Sequence, residues 1–411
     1  MSHLGLVYAS VYTKFSKQVI CFDDNKNLIK NLTKKKIDIS EPSLTEQINK
    51  NFNKFKFTCD INDIIGSNLI FLSLDVQTDS YGKSNYLRIL KILNSIKKIR
   101  LGRPPIIILS QVYPGFCDTI IKKFKNQIYY QVETLVFGEA IKRAMFPDRI
   151  IIGSKNKKIE NKSYKYLLNN FNTPIINMNF KTAEITKISI NILLVSTAMS
   201  SNFLSIISEK IGYDWKLITD SLKLDKRIGK YAYLSPSLGL SGGNLERDLN
   251  TLENICKKNK INVSIINSWK KISNHRKKWI LNILLKLPEF KLTKNIALLG
   301  LAYKKNTNSI KNSNAIFTSQ KLKKKVFLAY DPIVQKEQVK KFKNIRIMDL
   351  KKCLNKTKIV LLTVASDYFI NFFKKNKKIL KNKIVIDPYN ILSGMKKMNI
   401  KKKYILGEKN I

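Results

Sequence analysis

Short apolar segments alternate with amphipathic ones in the first and the last third of the chain. In the first third the predicted strands are Gln18–Phe22, Leu69–Leu74, Ile106–Leu109 and Arg149–Ile152. In the last third they are Asn295–Leu299, Val326–Tyr330, Ile359–Thr363 and Lys383–Ile386. Buried strands that alternate with amphipathic helices are typical of α/β domains built on parallel sheets. The pattern therefore predicts such a domain at each end of the chain.

The middle of the chain has helical spacing instead. A long helix is expected from about Lys181 to Ile211, and Gly212 is a suitable C-cap for it. Its small residues favour close helix packing or a dimer contact; they are Ser196, Ala198, Ser200 and Ser201. Further helices are predicted over Asp214–Leu222, Leu245–Asn259 and Ser264–Leu285, before Pro288. We therefore predict an α/β fold in which two parallel-sheet domains, residues 1–178 and 291–411, are joined by a central helical domain, residues 179–290, with one long helix.

The composition is that of a folded chain. Of its 411 residues, 44% are hydrophobic and 26% are charged, which is enough apolar material for a sizeable core. No run of about 18 apolar residues predicts a membrane span, and the first ten residues, MSHLGLVYAS, lack the pattern of a signal peptide. Five cysteines without a CxxC pair, and two histidines without metal-like neighbours, predict neither a disulfide framework nor a metal site. These features lead us to expect a cytoplasmic protein with no membrane partner.

The formal net charge of +47 raises the question of nucleic acid binding. The excess is almost entirely lysine, with nine arginines in the chain, and it is spread from end to end. Specific base recognition favours arginine, whereas abundant Lys, Asn and Ile together are typical of A/T-rich coding. We therefore expect no specific nucleic acid partner. A polyanion-binding surface stays open as the alternative, and both readings are compatible with attraction of anionic small molecules.

The N-terminus matches the second half of a dinucleotide-binding fingerprint, GxGxxG. In that motif the last glycine allows a helix to pack closely on a strand. Gly5 takes this place, Ser2 takes the place of the second glycine, and the first would fall just before Met1. Asp23 follows the next predicted strand, where an acidic residue binds the ribose 2′-hydroxyl of NAD. We therefore expect NAD as the cofactor, on a domain that lacks its first strand.

A set of short segments points to a known family, because they occur in that family's order along the whole chain. They are GLV near Gly5, ICFDDN at Ile20–Asn25, EPSL at Glu41–Leu44, LDVQTDSYGKSN at Leu74–Asn85, LSQVYPG at Leu109–Gly115, VETLVFGEAI at Val132–Ile141, FPDRIIIG at Phe146–Gly153, AEITKISIN at Ala183–Asn191, RIG at Arg227–Gly229, GGNLERD at Gly242–Asp248, GLAYKKNT at Gly300–Thr307, AYDP at Ala329–Pro332 and VIDPYNIL at Val385–Leu392. The chain resembles the UDP-glucose/GDP-mannose dehydrogenase family, whose members oxidise a nucleotide sugar with NAD. The resemblance implies an NAD-binding Rossmann-like domain over residues 1–178, a dimerisation and catalytic domain over 179–290, and a nucleotide-sugar-binding Rossmann-like domain over 291–411.

The resemblance also implies which side chains take part in catalysis. Glu133 corresponds to an acid/base beside the reacting carbon. Lys187 and Asn191, four residues apart on the predicted long helix, share one face. They correspond to a pair that stabilises an oxyanion and orients water. Asp248 corresponds to an aspartate that supports catalysis, whereas Asn244 stands at the position of the family's nucleophilic cysteine. An amide cannot trap an aldehyde covalently as a thiolate does.

Binding residues are implied in the same way. On the cofactor side they are Ser2, Gly5, Asp23, Thr78, Ser110, Gln111 and Lys311, the last of which replaces an arginine, while Phe137 replaces a glutamate. On the substrate side they are Thr134, Leu135, Arg227, Gly239, Gly242 and Lys304, while Tyr389 replaces an arginine. Arg227 resembles an arginine that reaches the nucleotide of a neighbouring subunit. The resemblance therefore implies a homodimer or a higher homo-oligomer.

These observations predict an NAD-dependent dehydrogenase that oxidises C6 of a nucleotide sugar, expected to be a UDP-sugar, for surface polysaccharide precursors. Two alternatives stay open because of Asn244 and the absent strand. One is an enzyme that stops after a two-electron oxidation or proceeds through a hydrated aldehyde, and the other is an inactive nucleotide-sugar-binding relic. No other cysteine is expected to replace the nucleophile; they are Cys21, Cys59, Cys117, Cys256 and Cys353.

Overall fold

The computed structural model describes residues 1–78, 84–99, 102–395 and 398–409. Its contacts divide the chain into two compact units, Met1–Ile190 and Asn191–Ile411. Each unit has hydrophobic clusters of its own. The three domain boundaries expected from the sequence stay a prediction.

The first unit is built around a mostly parallel sheet. Its strands are β1 (Val19–Phe22), β2 (Phe55–Thr58), β3 (Ile70–Leu72), β4 (Gln77–Thr78), β5 (Ser84–Asn85), β6 (Ile106–Ile108), β7 (Ile128–Gln131), β8 (Ile150–Gly153) and β9 (Ile175–Met178). Five of them form one sheet in the order β3-β6-β7-β8-β9, β1 and β2 form a separate parallel pair, and β4 and β5 form a short antiparallel pair. The four strands predicted in this region are all present.

The helices of the first unit connect these strands. They are α1 (His3–Tyr12), α2 (Lys26–Thr33), α3 (Leu44–Lys50), α4 (Leu87–Lys98), α5 (Phe116–Ile121), α6 (Ala140–Met145), α7 (Lys162–Leu168) and α8 (Phe180–Ile211), of which α8 continues into the second unit. One pairing differs from an all-parallel sheet, because β8 runs antiparallel to β7 and Tyr130 faces Gly153. The connection between these strands contains only the short helix α6, and it returns the chain beside β7 in the opposite direction.

The sheet of the first unit has a hydrophobic cluster on each face, which explains the apolar runs in the sequence. Ile107 in β6 packs into the cluster that includes α1, α3 and α7, whereas its neighbours Ile106 and Ile108 pack into the cluster that includes α4 and α5. All three are fully buried. A strand covered on both faces is apolar at every position. The strands β2, β7 and β9 were not predicted, because polar residues interrupt their sequences FKFT, IYYQ and IINM.

The second unit contains a fully parallel sheet. Its strands are β10 (Asn295–Leu299), β11 (Val326–Tyr330), β12 (Ile345–Ile347), β13 (Ile359–Leu362), β14 (Ile384–Ile386) and β15 (Lys402–Tyr404). They pair in the order β12-β11-β10-β13-β14-β15, so that the chain starts in the middle of the sheet, moves to one edge and then fills the other side. This is the strand order of the doubly wound nucleotide-binding fold, as predicted for this part of the chain.

Nine helices of the second unit follow α8 in the described residues. They are α9 (Trp215–Leu224), α10 (Asn244–Lys258), α11 (Ser264–Lys277), α12 (Trp279–Lys286), α13 (Pro288–Leu292), α14 (Asn314–Lys321), α15 (Lys336–Val339), α16 (Leu350–Asn355) and α17 (Asp367–Lys375). The single helix predicted over Ser264–Leu285 was wrong in one respect, since the chain turns at Lys278 and forms α11 and α12. Lys278 caps both helices, with φ −85° and ψ −4°.

Helix α8, 32 residues long, agrees with the predicted long helix. By length and composition it is also the one helix in the described part of the chain that could cross a membrane, which the sequence reading did not anticipate. Core helices of soluble proteins share that length and composition, so this property does not by itself indicate a membrane span. The helix contains buried polar groups, among them Glu184 and Lys187, while Leu193 and Phe203 are exposed.

A fully buried charge connects several elements of the second unit. The Arg276 side chain is 0% exposed, its Nη1 donates to Glu209 Oε1 at 2.6 Å, and its Nη2 donates to Ser205 Oγ. Glu209 also accepts the backbone N–H of Gly407 at 2.8 Å and the indole N–H of Trp279 at 3.3 Å. This one carboxylate therefore ties the end of α8 to α11, α12 and the C-terminal segment.

Replacing Glu209 by Gln should destabilise the protein strongly. The change leaves the buried guanidinium of Arg276 without its counter-ion, and breaking a buried pair costs about 3–5 kcal/mol. In a unit of this size that corresponds to a fall in Tm of at least ~6 °C, measurable by scanning calorimetry. Glu337→Gln removes an exposed carboxylate and is the matched control, expected to change Tm by less than about 2 °C. Equal Tm values for the two variants would contradict the role assigned to Glu209.

Candidate active site

The N-terminus of α1 packs closely against the end of β3. Ser2 is the N-cap of α1, and its Oγ accepts the N–H of Gly5 at 3.3 Å while donating to the main-chain oxygen of Ser73 at 2.7 Å. A Cβ on Gly5 would lie 2.8 Å from Ser73 Oγ. A larger residue at position 5 would therefore displace the Ser73 hydroxyl, in keeping with the close helix packing expected for the last glycine of the fingerprint.

Asp23 lies directly after β1 and is 3% exposed. Its carboxylate accepts hydrogen bonds from Arg88 Nη2 at 2.8 Å and from the N–H of Asn25 at 2.9 Å, and it forms an ion pair with the α-amine of Met1. Arg88 also binds the neighbouring Asp24 at 2.7 Å, which holds the pKa of that carboxyl below its usual value. Sequence reasoning missed Arg88, because nothing in a lysine-rich chain distinguishes one arginine at position 88.

The arrangement around α1 fits NAD. A helix N-terminus attracts a pyrophosphate through its backbone N–H groups and dipole, and a carboxylate at the end of the adjacent strand suits a ribose hydroxyl. The N-terminus of α1, which contains the close approach at Gly5, and the buried carboxylate of Asp23 supply these two features at the same edge of the unit. Ser2, Gly5 and Asp23 are therefore the residues that could hold the adenosine and pyrophosphate parts of the cofactor.

The remaining cofactor candidates of this unit follow other strands. Ser110 is fully buried, and both its N–H and its Oγ donate to the main-chain oxygen of Leu72, at 3.1 and 3.2 Å. Gln111 follows it and is partly exposed. Thr78 lies in β4, but its side chain is outside the described part of the structure. Ser110 thus joins the carboxyl ends of β3 and β6, and a ligand can bind at this end of a parallel sheet.

Glu133 and Lys187 form an ion pair. Lys187 Nζ lies 3.5 Å from Glu133 Oε2, and the other oxygen of this carboxylate accepts the N–H of Leu135. Lys187 is 8% exposed and is the one buried lysine among the described residues. Burial therefore distinguishes Lys187 from the lysine excess of this chain. Thr134, between Glu133 and Leu135, is partly exposed, and Leu135 packs against the apolar cluster.

Glu184 is a functional candidate that the sequence reading did not single out. It lies one turn before Lys187 on α8, is fully buried, and accepts the backbone N–H groups of Gly115 and of Cys117, the latter at 2.8 Å. Burial raises the pKa of Glu184 and, more strongly, that of the Cys117 thiol. This carboxylate joins the helix that carries Lys187 to the segment that follows Ser110 and Gln111.

In the second unit, Asn244 and Asp248 lie one turn apart at the start of α10. Asn244 is the first residue of the helix and is exposed. Asp248 is 1% exposed, accepts a hydrogen bond from Asn191 Nδ2, and lies 3.2 Å from Arg247 Nε. The side chains of Asn191 and Asp248 are thus brought together, while an amide occupies the exposed first position of the helix.

The loop before α10 requires glycine at two predicted positions. Gly239 and Gly242 have φ of +81° and +76°. A Cβ on Gly239 would lie 2.4 Å from the main-chain oxygen of Ser273, and one on Gly242 would lie 3.0 Å from the Tyr303 ring. Both the positive φ and the close contacts exclude larger residues. These glycines therefore shape the loop that leads to Asn244.

Three of the predicted cationic residues lie on the surface of this unit. Lys311 is exposed and packs against Gly243, since a Cβ there would lie 3.0 Å from Lys311 Cε. Lys304 Nζ lies 5.8 Å from the centre of the Tyr303 ring. The Arg227 side chain is 89% exposed and pairs with Asp225 at 2.6 Å. The Lys311 side chain therefore lies next to the N-terminus of α10, and the Arg227 side chain extends into solvent.

Two residues expected to replace charged side chains of the family are packed rather than exposed. Tyr389 packs against the core, and burial raises its pKa to about 12. Phe137 stacks on His3 with ring centroids 4.2 Å apart, and His3 Nε2 lies 2.9 Å from Glu41 Oε2. An aromatic contact and a core tyrosine thus stand at the two positions where the resemblance implies charged side chains.

The cysteines offer no substitute for a nucleophile. Cys21, Cys117 and Cys353 are buried, and burial raises the pKa of each thiol, to about 12 for Cys21 and Cys353. Cys256 is buried in the apolar cluster around α8 and α10. Cys59 is partly buried against the core of the first unit. In the described ranges no group of three or more His, Cys, Asp or Glu residues is placed to hold a metal ion.

Most of the chain matches the domains of one protein family. Residues 1–172 match the NAD binding domain of the UDP-glucose/GDP-mannose dehydrogenase family, residues 181–275 match its central domain, and residues 297–394 match its UDP binding domain. The three domains follow each other in the family's order.

Known proteins of similar length agree with this match. The UDP-glucose 6-dehydrogenase of Rickettsia bellii (strain RML369-C) is 28% identical over 95% of this chain and 94% of its own length. The UDP-glucose 6-dehydrogenase TuaD of Bacillus subtilis (strain 168) is 26% identical over 95% of this chain and 88% of its own length.

Solved structures share the fold. A UDP-glucose dehydrogenase from the hyperthermophilic archaeon Pyrobaculum islandicum superposes with a TM-score of 0.85 at 18% identity, covering 98% of this chain and 95% of that one. The UDP-N-acetyl-mannosamine dehydrogenase Cap5O from Staphylococcus aureus superposes with a TM-score of 0.80 at 18% identity, covering 99% and 96%. With all three domain matches, the chain belongs to the UDP-glucose/GDP-mannose dehydrogenase family of NAD-dependent nucleotide-sugar dehydrogenases.

Proposed function

We propose that this chain oxidises the C6 alcohol of a UDP-sugar to the aldehyde with NAD, and that Asn244 prevents the covalent route to the acid. The proposal rests on one observation: the polar groups needed for the first oxidation are paired, whereas the thiol needed for the second is absent. Glu133 contacts Lys187, and Asp248 contacts Asn191. The chain therefore has the side chains for one hydride transfer.

The first oxidation needs a base for the hydroxyl proton and a cation for the developing alkoxide. When bound, NAD supplies the hydride acceptor. Glu133 Oε2 accepts the proton of the C6 hydroxyl, and the Lys187 ammonium, 3.5 Å from that oxygen, stabilises the negative oxygen as the proton leaves. The C6–H bond then breaks and both of its electrons leave with the hydrogen. One alcohol and one NAD⁺ yield one aldehyde, one NADH and one proton.

Burial strengthens this electrostatic effect. Lys187 is 8% exposed, so that its charge is screened less by water than that of a surface lysine. Glu184 acts as a positioning residue, since it fixes the segment after Gln111 against the same helix. Asp248 likewise positions Asn191 by holding its Nδ2, and Asn191 orients water with its amide oxygen.

The second oxidation is where Asn244 matters. A thiolate adds to the aldehyde, the thiohemiacetal loses a hydride to a second NAD⁺, and water hydrolyses the thioester to the acid. Asn244 cannot form that bond. Cys256, on the same helix, is twelve positions further on, or about 18 Å along the axis, and it belongs to the core. The acid can then form only slowly, through the hydrated aldehyde.

The family supports the proposed substrate and the proposed setting of the enzyme. The match of residues 297–394 to a UDP binding domain favours a UDP-sugar, and the curated relatives named above are UDP-glucose 6-dehydrogenases. We further infer a cytoplasmic homodimer or higher homo-oligomer that supplies precursors of surface polysaccharides. The exposed apolar residues Leu193 and Phe203 on α8, and the exposed Arg227, support the oligomer.

Asp23 should determine the choice of cofactor. Its carboxylate repels the 2′-phosphate of NADP and accepts a hydrogen bond from the ribose of NAD, so NAD should bind at least ~10-fold more tightly. In Asp23→Ala most of this preference should disappear, as measured by calorimetric titration with NAD⁺ and NADP⁺. Asp24→Ala, which removes the neighbouring partner of Arg88, is the control and should keep the preference. Tighter binding of NADP⁺ by the unchanged protein would overturn the assignment.

Lys187 should act on the chemical step rather than on binding. For Lys187→Met we expect kcat to fall roughly 100- to 1000-fold, because the alkoxide loses its cation, with KM for the sugar changed only a few-fold. Steady-state NADH formation measures both constants. Lys181→Met is the matched control, since Lys181 lies on the same helix with its side chain 73% exposed. If both variants kept the activity of the unchanged protein, Lys187 would have no catalytic role.

The stoichiometry of NADH tests the proposed function directly. We expect about one NADH per UDP-sugar consumed by the unchanged protein, and a value approaching two for Asn244→Cys, because the thiol restores the covalent route. Asn244→Ser has no thiol and should stay near one. Absorbance at the NADH band, combined with quantification of the sugar, gives the ratio.

Three outcomes would contradict the proposal. A ratio of two in the unchanged protein, at the rate of its first oxidation, would show that no cysteine is needed at position 244. A mass-spectrometric thioester on Cys117 or Cys256 would identify another nucleophile. No NADH at all across a panel of UDP- and GDP-sugars would instead indicate an inactive sugar-nucleotide-binding protein.

A further inference from the structure

Arg88 binds both of the carboxylates that follow β1. Its Nη2 donates to Asp23 Oδ1 at 2.8 Å and to Asp24 Oδ1 at 2.7 Å, although Arg88 belongs to α4, a distant element of the sequence. Lys91, three residues further along α4, adds a contact from its Nζ to Asp24 Oδ2 at 3.4 Å. Two cations of one helix thus face two anions at the end of a strand.

The two carboxylates differ in burial, and the buried one depends on Arg88. The Asp23 side chain is 1% exposed, whereas that of Asp24 is 34% exposed. A buried carboxylate stays ionised only where a cation and hydrogen bonds replace its hydration. Burial lowers the pKa of the Met1 α-amine beside Asp23 to about 6, so at neutral pH that amine is mostly uncharged. Among the described residues, Arg88 is therefore the lasting cation at Asp23.

The contacts of Arg88 also fix the orientation of the Asp23 carboxylate. Oδ1 accepts both Arg88 Nη2 and the N–H of Asn25, so this oxygen is held from two directions. The other oxygen, Oδ2, faces Met1, next to the N-terminus of α1. This is the side on which α1 offers its N–H groups to a pyrophosphate. Arg88 therefore holds one oxygen of Asp23 and leaves the other directed towards the cofactor site.

Arg88 has the chemistry of a phosphate ligand, but its charge is already neutralised. The side chain is 47% exposed, and both of its contacts to carboxylates use the single nitrogen Nη2. A guanidinium with further N–H groups binds phosphate well. The charges of Arg88 and Lys91 are cancelled by those of Asp23 and Asp24, and a phosphate at this place would meet both carboxylates. Removal of both carboxylates leaves two positive charges, which match a phosphate monoester of nearly two negative charges.

We propose that Arg88, together with Asp23, determines which form of the adenosine ribose this domain accepts. While both aspartates are present, Arg88 is a positioning residue: it orients the Asp23 carboxylate for a ribose hydroxyl, and its charge is not available to a 2′-phosphate. Once both aspartates are removed, the same guanidinium binds the 2′-phosphate. The inference uses the NAD binding domain matched by residues 1–172 and does not depend on the proposed reaction or on Asn244.

Calorimetric titration of the full chain with NAD⁺ and NADP⁺ tests the positioning role. For Arg88→Met we expect the Kd of NAD⁺ to rise at least ~10-fold, because Asp23 loses the cation that orients it, with no gain in affinity for NADP⁺. Arg88→Lys keeps the charge but loses the fork, and should recover only part of the affinity. Lys91→Met is the matched control: it removes the same charge from the same helix but contacts only Asp24, so the Kd should change less than ~3-fold. An unchanged Kd of NAD⁺ in Arg88→Met would overturn the proposal.

Adenosine 2′,5′-bisphosphate tests the second role without any nicotinamide. The double variant Asp23→Ala/Asp24→Ala should bind it at least ~10-fold more tightly than the unchanged chain does, and adding Arg88→Met should abolish this gain. Adenosine 5′-monophosphate, which lacks the 2′-phosphate, is the control ligand and should gain nothing.

The isosteric pair Asp23→Asn/Asp24→Asn gives the same comparison if the Ala form fails to fold, as judged by its Tm. A gain that survives Arg88→Met would overturn the proposal, because loss of repulsion alone would then explain it. No binding of NAD⁺ by the unchanged chain would overturn it as well. The ratio of NADH to sugar, which tests the proposed reaction, enters none of these measurements.

Discussion

Parallel pairing of strands is the constraint on which the rest of this structure depends. Because parallel strands end at one edge of the sheet, residues that follow different strands are brought to the same edge. In the first unit Ser110 follows β6 and Glu133 follows β7, two neighbouring strands of one sheet. In the second unit Asp331 follows β11 and accepts the N–H groups of Leu301 and Ala302, the loop after β10, at 2.6 and 3.2 Å. Parallel pairing thus brings together side chains that are far apart in the sequence.

Burial distinguishes a few charged side chains from the many exposed lysines of this basic chain. With a net charge of +47 most lysines carry no positional information, but Lys187 is buried and paired with Glu133. Arg276 is likewise buried, and its counter-ion Glu209 is hydrogen-bonded to two further groups. A buried charge without such partners would be strongly destabilising. These pairs therefore constrain the helices that carry them, and α8 carries both Lys187 and Glu209.

In the loop before α10, some residues fix the path of the backbone and others offer polar side chains. The positive φ values and close contacts of Gly239 and Gly242 preserve its path. Asp248 keeps its contact with Asn191 one turn into the helix. The first position of α10, in contrast, is exposed and is occupied by Asn244.

Much of this was determined by the sequence alone. Apolar runs such as Ile106–Leu109 predicted the buried strands, and the ordered motifs identified the family, because strands covered on both faces and glycine-rich turns leave local patterns. The partners of the charged residues were decided by tertiary structure only. Arg88 lies beside Asp23, and Glu184 binds the turn at Gly115; in both cases the partners are tens of positions apart in the sequence. The burial of Lys187 also depends on segments that are distant in the sequence. The antiparallel β8 and the turn at Lys278 are also tertiary features, since backbone pairing and packing between distant segments, not local propensity, determine them.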